Sequence, residues 1–97
     1  MKKYLVMLFV LLGMTISAFA QERLEITGTV SDANGDPIIG VNVTVKDATG
    51  LGVITDIDGH YKIKVEPYKT LVFSYIGFQN VEVLIKGDKH VIDVKMS

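Results

Sequence analysis

From Leu24 onward the apolar residues return at every second position, and a period of two commits the chain to strands with one face buried. In the first run Leu24, Ile26 and Val30 share one face, with Glu25, Thr27 and Thr29 on the other. Gly28 falls on the inner face, where a glycine signals a bulge or a close neighbouring backbone. The second run sets Val41, Val43 and Val45 inward against Asn42, Thr44 and Lys46. Val53 and Thr55 make a short third run, and Tyr61, Ile63 and Val65 then alternate with His60, Lys62, Lys64 and Glu66 until Pro67 stops the strand. Thr70 to Ile76 is apolar on both faces, which predicts the central and most buried strand. Gly77 turns or bends it, and two further runs follow, Val81-Val83-Ile85 and Ile92-Val94-Met96.

The punctuation agrees with this period. "SDANGDP" gathers Asp32, Asn34, Gly35 and Pro37 into the strongest turn signal, and Asp58-Gly59 reads as a hairpin turn whose two residues supply positive φ angles. About seven short strands, with turn signals between them and no credible helix after residue 20, predict an all-β, seven-stranded antiparallel β-sandwich. The chain has 97 residues and no cysteine. A domain of this size buries only about 60% of its unfolded surface. Without disulfides its stability must come from sheet packing or from a larger parent protein.

Residues 1–20 are set apart from that domain. Lys2 and Lys3, an apolar run from Tyr4 to Ile16, and the small-residue site Ala18-Phe19-Ala20 form the three-part layout of a secretory signal, cleaved after Ala20. As a helix, Tyr4 to Ala20 would span about 25 Å, short of a hydrocarbon core of about 30 Å. The expected organisation is therefore a signal-peptide helix over 1–20 and one β-sandwich domain over 21–97. With Lys2 and Lys3 removed, 8 basic residues face 11 acidic ones, and neither sign forms a run. A nucleic-acid partner is not expected, because phosphate binding asks for a basic stripe.

Asp56 and Asp58 are the sharpest candidates for chemistry. Calcium takes six to eight oxygen ligands, yet after two carboxylates the chain runs straight into His60, Tyr61 and a strand. A capped turn is the better reading, with Asp56 closing an Asx bond. An acid and base pair would need two different environments, and a strand tip leaves both groups in water. His60 and His90 each fall on the polar side of their strands, and a zinc site would ask for three or four ligands. Ser31, Ser74 and Ser97 have no nucleophile context. Tyr61, Phe73 and Tyr75 take inward or doubly buried positions, so they and Phe78 read as core, whereas Tyr68 beside Pro67 can face solvent. No cofactor and no enzymatic activity are expected.

In order along the chain stand Gly28-Thr29-Val30, Gly35-x-Pro37, Gly40-Val41-x-Val43, Thr55-Asp56-x-x-Gly59-x-Tyr61 and Phe73-Ser74-Tyr75-Ile76-Gly77-Phe78. Together they resemble the carboxypeptidase-regulatory-like domain, in the form that follows the signal peptide of SusC/RagA-type TonB-linked outer membrane transporters. The resemblance implies an Ig-like, transthyretin-like sandwich, exported to the periplasm and held on the periplasmic side of the Gram-negative outer membrane ahead of a transporter. It implies Gly28, Gly35, Pro37, Gly40, Asp56, Gly59, Tyr61 and Gly77 as fold-defining turn and motif residues. It also implies envelope proteins of the TonB-linked transport machinery as partners, and carbohydrate or peptide as further ligand classes.

Such transporters continue into a plug and a barrel, which need many more strands than these. The expectation is therefore a truncated or fragmentary module of a nutrient transporter, in contact with the membrane only through a parent barrel. The alternative expectation is a free-standing exported domain that binds carbohydrate, peptide or protein through a sheet edge or its loops.

Overall fold

In the computed structural model, residues 23–97 are described, and the signal peptide expected over residues 1–20 lies outside them. The alternation becomes seven strands: β1 Leu24–Ser31, β2 Asn42–Val45, β3 Gly52–Ile54, β4 His60–Val65, β5 Thr70–Ser74, β6 Val81–Leu84 and β7 Val94–Lys95. No helix forms among the described residues. Two sheets result, one in the order β4-β1-β7 and one in the order β3-β2-β5-β6.

The pairs are antiparallel with one exception. β7 runs parallel to β1, Val30 opposite Val94 and Ser31 opposite Lys95, with a parallel bridge from Thr27 to Val91 just before it. The sandwich is thus antiparallel as expected, with this one parallel pair added. The segment Ile85–Asp93 crosses from one sheet to the other, so β7 enters beside β1 in the same direction.

The inward residues of both sheets meet in one core. Ile26, Val30, Tyr61, Ile63, Val65 and Val94 face Val43, Val45, Leu71 and Phe73 across it, and Ile38, Val41, Ile85 and Met96 close its margins. Packed sheets of this kind stand about 10 Å apart, so large side chains from one layer touch the other. Tyr61 and Phe73 do so edge to face, with ring centroids 5.3 Å apart and planes at 76°.

β5 is flanked on both sides, by β2 and β6, and its inward Leu71 and Phe73 are fully buried. It ends two residues earlier than the apolar run predicts. Pairing stops at Ser74 opposite Asn42 and at Phe73 opposite Val81, so Tyr75 and Ile76 leave the sheet and stand exposed, at 38% and 94%. Tyr75 is thus not a core residue, whereas Phe78 folds back onto the core margin.

Candidate functional site

The turn between β3 and β4 is held by four bonds around one aspartate. Asp56 Oδ1 accepts the backbone N–H of Asp58 and of His60, both at 2.9 Å. Its own N–H donates to the His60 carbonyl at 3.0 Å, and its carbonyl accepts the Gly59 N–H at 2.9 Å. The positive φ expected of the pair Asp58-Gly59 is carried by Gly59 alone, at 75°. A three-residue loop of this kind needs only its last residue left-handed, unlike a two-residue loop.

The turn after β1 repeats this arrangement bond for bond. Asp32 Oδ1 accepts the N–H groups of Asn34 at 2.9 Å and Asp36 at 3.0 Å. Asp32 N–H donates to the Asp36 carbonyl, and Gly35 N–H donates to the Asp32 carbonyl. Asp-x-[Asn/Asp]-Gly therefore works twice as a turn, and a sequence scan for that tetrad would have paired the two.

Asp56, Asp58 and His60 bring one ligand atom each within 4.8 Å of the others, all exposed. One Asp56 oxygen already accepts two backbone N–H groups, which lowers what the trio can offer a cation. Asp56→Asn keeps that oxygen and is expected to leave stability within about 0.5 kcal/mol. Asp56→Ala orphans two turn N–H groups and is expected to cost about 1–2 kcal/mol. Urea midpoints of the two variants check this, and a melting temperature that rises with added calcium would restore the cation reading.

Two of the motif residues meet on β1 and β4, and the other six lie in loops. Gly28 stands opposite Tyr61 in the antiparallel register, and a Cβ on Gly28 would lie 1.8 Å from the Ile92 carbonyl oxygen. That carbonyl accepts the Tyr61 hydroxyl at 2.6 Å, while Ile92 N–H donates to Thr27 at 2.8 Å. Beside it, Thr29 N–H donates to Asp93 Oδ1 at 3.0 Å. Gly28 and Tyr61 thus receive the crossing segment between them.

Gly59 is buried against the twin turn. A Cβ there would meet the Val30 carbonyl oxygen at 2.6 Å and Pro37 Cβ at 3.0 Å, whereas one on Gly35, also left-handed at φ 87°, would meet nothing within 4 Å. Gly59→Ala is accordingly expected to cost about 2 kcal/mol and Gly35→Ala about 1 kcal/mol. Equal thermal shifts for the pair would sink the packing argument. Gly40 adjoins the Tyr75 ring, and Gly77 sits at the bend after it.

Thr55, expected only as part of a short third run with Val53, has a structural task that the sequence did not announce. It is buried, its Oγ1 donates to the Ile38 carbonyl at 2.6 Å, and the same oxygen accepts Val41 N–H at 3.0 Å. It ties the segment entering β2 to the end of β3.

Burial raises the Tyr61 hydroxyl well above its ordinary range, and the nearby Asp93 carboxylate adds to the shift. Above pH ~10 the unfolded chain releases this proton while the folded chain keeps it, so the unfolded state binds fewer protons and stability falls with rising pH. Below that pH both states are neutral and the contribution is complete. Tyr61→Phe is expected to remove up to about 1.4 kcal/mol per pH unit from the alkaline slope, measured as urea unfolding between about pH 9 and 11.

Over this framework lies a shallow depression of about 680 Å³, lined among others by Thr27, Thr29, Ile54, His60, Lys62 and Asp93. Its lining sets two threonine hydroxyls, an imidazole, an ammonium and carboxylates beside the apolar side chains of Val53 and Ile54.

Comparison with known proteins agrees with the geometry. The family model described as the CarboxypepD_reg-like domain matches residues 26–97. A TonB-dependent receptor SusC of Bacteroides thetaiotaomicron is 38% identical over 96% of this chain and 10% of its own length. Two receptors of Formosa agariphila follow: TonB-dependent receptor P39, 41% identical over 89% of the chain and 9% of its own length, and TonB-dependent receptor P26, 44% identical over 73% of the chain and 7% of its own. The chain spans about a tenth of the length of these curated relatives.

Proposed function

The chain belongs to the CarboxypepD_reg-like domain family, and on that premise we propose that it is a non-catalytic interaction module on the periplasmic side of the outer membrane, working with a TonB-dependent nutrient receptor. The observation that carries the reading is the 38% identity to a TonB-dependent receptor across nearly the whole chain. The use made of the motif residues supports it. Gly28, Asp56, Gly59 and Tyr61 are spent on turns and on the β1–Ile92 crossing, and their polar atoms meet backbone partners. A module of this kind contributes surface and position, while a receptor supplies passage across the membrane.

The test is fractionation of cells producing the full chain. Cleavage after Ala20 and recovery of a product starting at Gln21 in the periplasm, or with the outer membrane, is the expected result. A full-length product held in the cytoplasm overturns the reading. For the module's part in import, in-frame removal of residues 26–97 should reduce growth on the nutrient taken up by the associated receptor while leaving that receptor's abundance unchanged. Undiminished growth counts against any contribution to import.

A further inference from the structure

The two ends of the sandwich differ in charge. Strand directions place residues 32–41, 55–59 and 75–80, together with Ser97, at one end. That end carries Asp32, Asp36, Asp56 and Asp58 and neither lysine nor arginine in those loops. The opposite end, residues 46–51, 66–69 and 85–93, carries Lys46, Lys69, Lys86 and Lys89 among its acids.

The acidic end also holds Ile39 at 55%, Ile57 at 77%, Tyr75 and Ile76. Its loops are bound to one another. Gly40 N–H donates to the Thr55 carbonyl at 3.1 Å, Gly40 lies against the Tyr75 ring, and Gly59 lies against Pro37. Exposed apolar residues are ordinary on a protein surface, and the opposite end has Leu51, Tyr68 and Val91 exposed. This end is set apart because its four stand on joined loops whose only charged side chains are carboxylates, the mixed composition of an interface.

We propose that this acidic, apolar-centred end is the face on which the domain seats against the body of a TonB-dependent receptor, on a protein surface with lysine or arginine around an apolar centre. The proposal rests on the receptor-module reading above. Charge complementarity selects the occupant: carboxylates around an apolar centre fit a basic rim. The same carboxylates repel an anionic lipid surface, and they repel a second copy presenting the same face. The path of the chain agrees. Gln79 N–H donates to the Ser97 carbonyl at 2.9 Å, so in relatives ten times longer the polypeptide that follows this segment emerges beside the patch.

A photo-crosslinking residue placed at Ile76 tests this, against the same residue at Tyr68, which is 74% exposed and lies at the opposite end. Both are read in envelopes of cells producing the full chain. The expected result is an adduct to peptides of a TonB-dependent receptor from position 76, several-fold stronger than from position 68. Asp36→Asn with Asp58→Asn should weaken it several-fold at low salt and little at ~1 M salt, where charges are screened within about 3 Å. Both positions are exposed, and the turns use their backbone atoms, so an unchanged melting temperature shows that the variant stays folded. Equal adducts from both positions, adducts only to lipid, to a second copy or to a non-receptor protein, or indifference to the charge change each overturn the docking face. A chain that is exported yet gives no adduct at Ile76 overturns this inference alone, whereas retention in the cytoplasm overturns the reading beneath it.

Discussion

Gly28→Ala is expected to destabilise the domain by about 3 kcal/mol or more, the range in which overpacking approaches the whole stability of a small fold. The added Cβ would stand 1.8 Å from the Ile92 carbonyl oxygen and 2.9 Å from Tyr61 Cε1. Neither neighbour has room to yield. The Ile92 backbone is held on one side by its bond to Thr27 and on the other by the Tyr61 hydroxyl, and moving it drags the parallel β1–β7 pair with it. Urea unfolding gives the magnitude, and amide exchange at Ile92 gives the place, since opening of the crossing should speed exchange there first. Gly50→Ala is the control. Gly50 has φ 82° with nothing within 4 Å of its missing Cβ, so it reports the backbone cost alone, about 1 kcal/mol. Similar losses for the two variants would mean that the crossing is looser than its geometry implies.

That crossing also marks where local sequence stops being informative. The alternation in Leu24–Val30 and His60–Val65 was enough to orient both strands and to put Gly28 on the inner face, because burial of one face fixes side-chain direction residue by residue. The partner that Gly28 admits lies 64 residues away, and no local signal names Ile92. The parallel pairing of Val30 with Val94 is hidden for the same reason: strand direction depends on how residues 85–93 cross the sandwich. Tyr75 and Ile76 misled because apolarity continued past the last paired residue, and only the lengths of β2 and β6 decide where β5 ends. Asp56 was legible as a turn cap, while the left-handed residue count depended on loop length, which three residues settle differently from two. The acidic end was invisible in composition, since the four aspartates fall in two turns 20 or more residues apart.

Phe73→Ala is expected to cost about 3–5 kcal/mol, the upper range for removal of a buried aromatic side chain. Phe73 is fully buried, inward on β5, a strand paired on both sides. How far the surroundings collapse sets the cost, and here the ring that would have to move is Tyr61, 5.3 Å away and edge-on. Its hydroxyl is fixed on the Ile92 carbonyl, so filling the space would break a half-buried hydrogen bond. Phe73→Leu keeps most of the volume and is expected to lose about 1–2 kcal/mol. A double-mutant cycle with Tyr61→Leu separates the causes: edge-to-face coupling should leave about 0.5–1.5 kcal/mol of interaction energy. A coupling near zero would assign Phe73's contribution to cavity formation alone, and the two sheets would then be held by volume and not by that aromatic contact.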